Sequence, residues 1–135
     1  MPGTANSIIT PQTPKSGNAA CTTANTTYTT SPSNTVALVT AGPNGSRVTR
    51  IGAIPLATVT ATQLQLFRSR DAGTSKFFIV SALMAAYAMA QTTAAPVTDF
   101  GFSDDNPLIL TPNEILYAAV GVTGAVTFNA EWADY

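Results

Sequence analysis

Residues 122–135, VTGAVTFNAEWADY, decide the fold class because their apolar side chains recur at every second position. Val126, Phe128 and Trp132 fall on one side of an extended chain, and Thr127 and Glu131 fall on the other. This alternation is typical of a strand with one buried and one polar face. The stretch therefore predicts a closing β-strand that is tied into the fold and carries the only tryptophan inward.

Toward the N-terminus, the sequence continues as short apolar stretches that are separated by turn residues. Residues 62–70 and 75–83 flank the sequence DAGT, which predicts a hairpin with a positive φ at Gly73. Residues 107–121 predict a strand pair joined by the tight turn TPNE. Turn signals at this spacing predict an all-β protein, a jelly-roll-like antiparallel β-sandwich of about eight strands.

One segment, residues 75–91, fits two patterns. Phe77, Val80 and Leu83 match a helical stripe, and the segment is rich in Ala and Met, which favour helices. The preceding hairpin signal favours a strand followed by irregular chain, because the first half should pair with residues 62–70. Strand and helix both remain open for residues 76–91, with the strand preferred.

The N-terminal 34 residues differ in composition from the rest. Half of them are Thr, Ser or Asn, four are Pro, and Lys15 is the only charged residue among them. We predict an extended arm over residues 1–34 and a β-sandwich domain over residues 35–135. The arm is a solvated leader, a strap that lies on a neighbouring subunit through Ile8 and Ile9, or a segment packed on its own domain.

Composition limits the functional classes. The chain has 135 residues, of which 45% are hydrophobic and 10% charged, and its formal net charge is −1. The size predicts one domain, and the low charge favours a component of an assembly over a free monomer. The charge balance argues against a nucleic-acid partner, and no apolar run is long enough to predict a membrane span. A single cysteine and the lack of a signal-peptide pattern predict folding in a reducing cytoplasm.

The search for catalytic motifs argues against an enzyme. The chain has no histidine, so Ser/His/Asp and Cys/His systems are excluded. Cys21 has no imidazole to activate it, and no cofactor motif or metal-spaced cysteine pair is present. Asp104 and Asp105 precede Asn106 and Pro107, which predicts an ordinary turn, with a Ca²⁺ site as the alternative. We expect no catalytic residues, no cofactor and no metal.

A cluster of basic residues lies around the predicted hairpin. Arg68 and Arg70 are two positions apart, hence on one face of a strand, and Lys76 follows the turn. These residues predict either a solvated sheet edge that is protected against aggregation or a docking face for an acidic partner surface.

The leader, the stretches RVTRIGAIPLAT, LQLFRSRDAGTSKFFI and PLILTPNEILYAAVG, and the terminal strand together resemble small capsid decoration (cement) proteins of tailed bacteriophages. The resemblance covers roughly residues 46–135 and rests on pattern. It implies a non-enzymatic protein of the virion exterior, often a homotrimer, that binds the major capsid protein lattice and braces capsomer junctions. Phage tail-fibre tips and head spikes share the pattern. In such a carbohydrate-binding tip, Trp132, Tyr135, Tyr117 and the Asp104/Asp105 loop would converge.

Overall fold

A computed structural model describes residues 10–135, and this part of the chain forms two antiparallel β-sheets and no helix. Ile8 and Ile9, the predicted anchor of the arm, lie outside the described residues. The strands in chain order are β1 (Thr13–Cys21), β2 (Val36–Thr40), β3 (Ser46–Pro55), β4 (Thr62–Ser69), β5 (Phe77–Met84), β6 (Thr98–Asp99), β7 (Leu108–Leu110), β8 (Ile115–Val120) and β9 (Val126–Asp134). The predicted all-β sandwich is confirmed, with nine strands in the described range, and its jelly-roll subtype stays a prediction.

The two sheets interleave strands from distant parts of the chain. The five-stranded sheet has the order β1-β9-β3-β6, and β7 also pairs with β3. The four-stranded sheet has the order β2-β8-β4-β5. The two faces that meet between the sheets carry the core, which includes Ile51, Leu64, Leu66, Leu116 and Phe128, all with 0% exposure.

The terminal strand β9 behaves as its sequence predicts. Val126, Phe128 and Trp132 are buried, whereas Asn129 and Glu131 are exposed. β9 lies between β1 and β3, and it pairs with β1 over nine positions, from Thr13–Cys21 against Val126–Asp134. The period of two therefore places a long strand in the interior of the five-stranded sheet.

The predicted hairpin is also confirmed. β4 and β5 pair antiparallel, and Gly73 in the turn has a φ of 91°. Residues 76–91, for which strand and helix were both open, begin with strand β5, as preferred. After Met84 the chain is irregular, apart from a bridge between Tyr87 and Val59. Pairing with β4 outweighs the helix propensity of the Ala and Met residues, because tertiary contacts override a weak intrinsic preference.

The predicted boundary near residue 34 is wrong for the described part of the arm. β1 is a full strand of the sandwich, and Ala19 and Cys21 enter the core. A Cβ on Gly17 would lie 2.9 Å from Trp132 Cη2 and 2.9 Å from the Leu38 carbonyl oxygen. The Trp132 ring thus fills the space beneath β1, which is why the strand needs small residues where a core strand normally carries large ones.

Residues 22–35 follow β1 and cover the outer face of the four-stranded sheet; we call them the covering segment. Ala24 forms a parallel bridge with Val120, and the Asn25 backbone N–H donates to the Val120 carbonyl at 2.7 Å. Asn25 is fully buried against Gln65. For the described residues, packing on its own domain is the correct one of the three alternatives for the arm.

The turn TPNE does not join a strand pair. It connects β7, which pairs with β3 in the five-stranded sheet, to β8 in the four-stranded sheet. Asn113 has a φ of 61°, and the Glu114 side chain is fully buried at the turn. The turn was predicted in the right place, but it passes between sheets because β8 finds its partners in β2 and β4.

Candidate assembly surface

Strand β5 is an outermost strand with an apolar and uncharged sequence, FFIVSALM. Phe77 is 50% exposed, Phe78 37% and Leu83 73%. Within residues 10–135, β5 pairs with β4 on one side only, and that pairing has a bulge at Ile79. The other edge of β5 has no strand partner in this range. A long, exposed, apolar edge strand is a template for pairing with another chain.

The other outermost strands are shorter than β5 or carry residues that discourage pairing; β7, for example, has three residues. β1 contains Pro14, Lys15 and Gly17, which discourage pairing with a foreign strand. β2 packs beside β1 and closes that side of the sandwich. β6 is only two residues long. Among the strands that the structure describes, β5 is therefore the longest outermost strand without proline, glycine or charge.

An aromatic cluster supports the exposed end of β5. The Phe78 ring lies 5.2 Å from the buried Phe67 and 5.1 Å from Tyr28 of the covering segment, measured between ring centroids. The Tyr28 hydroxyl donates to Gln63 Oε1 at 2.5 Å. Phe78 and Tyr28 are thus held in place while parts of both rings face solvent, which gives the surface a fixed shape.

Buried amides fix the covering segment under this cluster. Asn25 Nδ2 donates to Gln65 Oε1 at 2.8 Å, and Gln65 Nε2 donates to the Asn25 carbonyl at 3.2 Å. Asn25 Oδ1 accepts from the backbone N–H groups of Thr27 and Ser33. Because a buried amide must be hydrogen-bonded, this network specifies one path for a segment of low complexity.

The structure brings Arg68 and Arg70 together, but on an acidic group of the same chain. Their Nε atoms lie 3.0 Å and 3.4 Å from Oε2 of Glu114, whose side chain is fully buried. Arg68 Nε and Glu114 Oε2 have no hydrogen-bond partner in the described chain, so this contact is an ion pair without hydrogen-bond alignment. The intramolecular carboxylate gives the two arginines a structural role, since a buried charge requires a partner.

Sequence reasoning missed Glu114 as the partner of these arginines. Glu114 Oε1 accepts hydrogen bonds from the Thr111 N–H at 2.7 Å and from its hydroxyl at 3.1 Å. The spacing of Thr111 and Glu114 in TPNE indicates a turn in which the acid accepts from the threonine. It does not indicate that Arg68 and Arg70 of β4 lie next to the same acid.

Lys76 lies apart from the two arginines. Its Nζ donates to Thr35 Oγ1 at 2.8 Å and stands 4.3 Å from the Tyr117 ring centroid. Lys76 is thus directed onto its own four-stranded sheet by a cation–π contact.

A second ion pair holds β1. Lys15 Nζ lies 2.6 Å from Asp134 Oδ2, and Asp134 Oδ1 accepts from Ser46 Oγ at 2.5 Å and from the Gly42 N–H at 3.3 Å. Desolvation favours the neutral acid, but the hydrogen bonds from Lys15, Ser46 and Gly42 and the charge of Lys15 outweigh it and lower the pKa of Asp134.

Cys21 and the predicted calcium ligands show no reactive arrangement. Burial raises the pKa of the Cys21 thiol to about 12. Asp104 and Asp105 lie in an exposed turn, where Arg47 Nη2 donates to the Asp104 carbonyl. Within the described range, no three His, Cys, Asp or Glu residues are grouped so as to hold a metal ion.

The outer face of the five-stranded sheet carries two shallow depressions of about 300 Å³ and 420 Å³, which share Glu131. The smaller one contains Asn18, whose Nδ2 donates to Asn129 Oδ1, and Arg50, whose Nη1 lies 3.4 Å from Glu131 Oε1. Both depressions are open, and the smaller one is also lined by the apolar side chains of Ile54 and Val97.

Of the residues expected to converge in a carbohydrate-binding tip, Trp132 and Asp104 both line the larger depression, but Tyr117 does not. Trp132 is 8% exposed in the five-stranded sheet, and its Nε1 has no hydrogen-bond partner in the described chain. Tyr117 lies on the four-stranded sheet beneath Lys76. The aromatic platform of that alternative is therefore divided between the two sheets.

Comparisons with protein-family models, curated proteins and solved structures found no match to this chain. In residues 10–135, there is no helix with the length and hydropathy of a membrane span.

Proposed function

We propose that this chain is a non-enzymatic structural protein of a virion. Specifically, it is a capsid decoration (cement) protein that binds the outer surface of a tailed-phage capsid and stabilises capsomer junctions. The observation that carries the proposal is the bare β5 edge, in a chain of which only 10% of the residues are charged. Such an edge is a liability in a free monomer and is useful when another chain covers it.

The rigid support of this edge adds to the proposal. The Phe67–Phe78–Tyr28 cluster and the Asn25–Gln65 amides hold the surface in one shape before binding. A preorganised surface loses less conformational entropy on association, which favours binding through shape and backbone hydrogen bonds rather than through charge. The protein is then made in the host cytoplasm and functions on the capsid exterior, without nucleic acid, membrane or cofactor as partners. The homotrimer that the resemblance implies also remains a proposal.

Binding to capsids purified without this protein tests the proposal. We expect the wild-type protein to co-sediment with such capsids, to add density to their exterior in electron microscopy, and to raise the temperature at which they release their genome. Lack of any binding to the capsid exterior contradicts the proposal.

A second candidate function is a tail-fibre or head-spike tip that binds a host-surface carbohydrate. The polar side chains of Asn18, Asn129 and Arg50 in the smaller depression favour it, since amides and guanidinium groups suit sugar hydroxyls. A glycan-binding assay tests this candidate with Asn129→Ala, and Thr127→Ala on the same face of β9 is the matched control. Glycan binding that only Asn129→Ala abolishes supports the tip, and no glycan binding contradicts it.

A further inference from the structure

We propose that the protein docks on the capsid through one end of the sandwich, which carries no charged side chain. This loop end consists of residues 22–24, 56–61, 85–97 and 121–125. The opposite end, which we call the charged end, has the turns 41–45, 70–76 and 111–114. The inference rests on the proposed function for the identity of the partner, and it specifies which surface the partner covers.

The first argument is the distribution of charge along the strands. Asp99 lies opposite Gly52 near the middle of β3, and every other charged side chain of the chain lies nearer the charged end. The stretches that approach and form the loop end, residues 51–67, 77–98 and 115–130, contain no charged side chain. Because a charge is costly to remove from water, the core of an interface is depleted in charged residues. The loop end is therefore the end that a partner covers at the lowest cost.

The second argument is that the loop end is one connected surface. Backbone hydrogen bonds of 3.2 Å and 2.9 Å join the turn 121–125 to Thr22 and to Leu56. The bridge between Val59 and Tyr87 joins the other two loops through two backbone hydrogen bonds, of 2.9 Å and 3.0 Å. Loops that are already bonded to one another lose less conformational entropy when a partner binds.

The third argument is the composition of the exposed side chains. Leu56 is 51% exposed and Val122 is 44% exposed, and both lie in the loop end. Their exposed neighbours are mostly threonine and alanine, for example Thr58, Thr60, Ala61, Ala88 and Thr92. A few apolar side chains among hydroxyl groups are typical of a contact between proteins that fold separately, whereas a permanent contact between copies is more apolar. This composition favours the capsid over a second copy as the partner.

The loop end is compatible with the other contacts of the proposed function. Leu83 is the exposed residue of β5 nearest to this end, so one partner can cover both the bare edge and the loops. Docking through the end of the sandwich occupies neither sheet face. It is therefore compatible with the proposed homotrimer.

Binding of charged variants to capsids that lack this protein tests the inference. Thr60 is exposed in loop 56–61, and Thr60→Lys and Thr60→Glu should each weaken binding by at least about tenfold. The reason is that a charge of either sign must lose its water on docking. Thr74→Lys and Thr74→Glu, in the exposed turn of the charged end, are the matched controls and should leave the affinity unchanged. Circular dichroism checks that each variant is folded.

Hydrogen exchange of the wild type tests the orientation without a substitution. On binding to capsids, the amides of residues 56–61 and 121–125 should exchange more slowly, because the partner excludes water from them. The amides of residues 70–76 should keep their rates.

Wild-type binding that both Thr60 variants leave unchanged overturns the inference and leaves the capsid function standing. Slower exchange in residues 70–76 instead of 56–61 does the same. Opposite effects of Lys and Glu at position 60 also overturn it, because they show attraction by charge at a hydrated contact. Self-association of the free protein that both Thr60 variants abolish overturns it by assigning the loop end to a second copy. A wild type that does not bind capsids contradicts the capsid function and this inference together.

Discussion

Strands β1 and β5 are both outermost strands, of nine and eight residues, but only β1 carries residues that discourage pairing along its free edge. β1 is built from small and polar residues, includes Pro14 and Lys15, and sends only Ala19 and Cys21 into the core. β5 is uncharged and mostly apolar, and Phe77, Phe78 and Leu83 are exposed. The comparison teaches that this chain guards β1 with proline and charge and leaves β5, which has only the bulge at Ile79, without either. We expect this difference if the bare edge has a partner.

The two strands also depend on different contacts. β1 is held by β9, by the Trp132 ring beneath Gly17 and by the ion pair between Lys15 and Asp134. The outer face of β5 is supported by Tyr28 of the covering segment, which the buried Asn25 fixes in place. Variants that remove one contact at a time therefore separate the protected edge from the bare one.

The largest expected effect is on the β1 side. Trp132→Ala should lower the free energy of unfolding by roughly 3 to 5 kcal/mol, because it leaves a cavity beneath β1. Chemical denaturation measures the change, and Thr127→Ala on the opposite face of β9 should cost within about 0.5 kcal/mol. A loss below about 1 kcal/mol for Trp132→Ala would mean that β1 does not depend on the ring.

The next effect concerns the support of β5. Asn25→Ala should cost about 2 to 3 kcal/mol, because Gln65 and the N–H groups of Thr27 and Ser33 lose a buried partner. Thr26→Ala at the neighbouring exposed position is the control. Faster hydrogen exchange in residues 22–35 of Asn25→Ala would show release of the covering segment, and unchanged exchange together with unchanged stability would contradict its role.

A smaller, pH-dependent effect tests the ion pair between Lys15 of β1 and Asp134. Asp134→Asn should cost about 1 to 2 kcal/mol at neutral pH, because it removes a charged acceptor of Lys15 and Ser46. Since the pKa of Asp134 is lowered in the folded protein, its contribution is complete above the unfolded pKa of about 3.9 and is lost as the pH falls through the folded value.

Urea unfolding at neutral and acidic pH measures this effect. The difference between wild type and Asp134→Asn should shrink on acidification, while Asp105→Asn in an exposed turn should show little difference at either pH. A difference that is independent of pH would assign the cost of Asp134→Asn to packing instead of charge.

The smallest effect on stability is expected at the bare edge. Leu83 is 73% exposed, so Leu83→Lys should change the unfolding free energy of the dilute monomer by no more than about 0.5 kcal/mol. Thermal melts at low protein concentration measure it. A loss above about 1 kcal/mol would show that Leu83 belongs to the core of its own chain, and the contrast between β1 and β5 would fail.

The sequence by itself determined the elements whose information is local. The period of two in residues 126–134 gave a strand with Trp132 inward, and Gly73 marked the β4–β5 turn. The first prediction succeeds because alternating apolar and polar side chains show which face of a strand is buried. The second succeeds because a turn residue with a positive φ is usually glycine.

Only the tertiary structure decided where the low-complexity segment goes and what the charged residues do. β1 has few large apolar residues because Trp132, more than 100 positions away, already fills the space beneath Gly17. Likewise, Glu114 meets Arg68 and Arg70 because β8 and β4 are neighbours in the four-stranded sheet. The physical reason is the same in both cases. Packing volume and buried charge are satisfied between residues far apart in the chain, so no local pattern in the sequence records the partner.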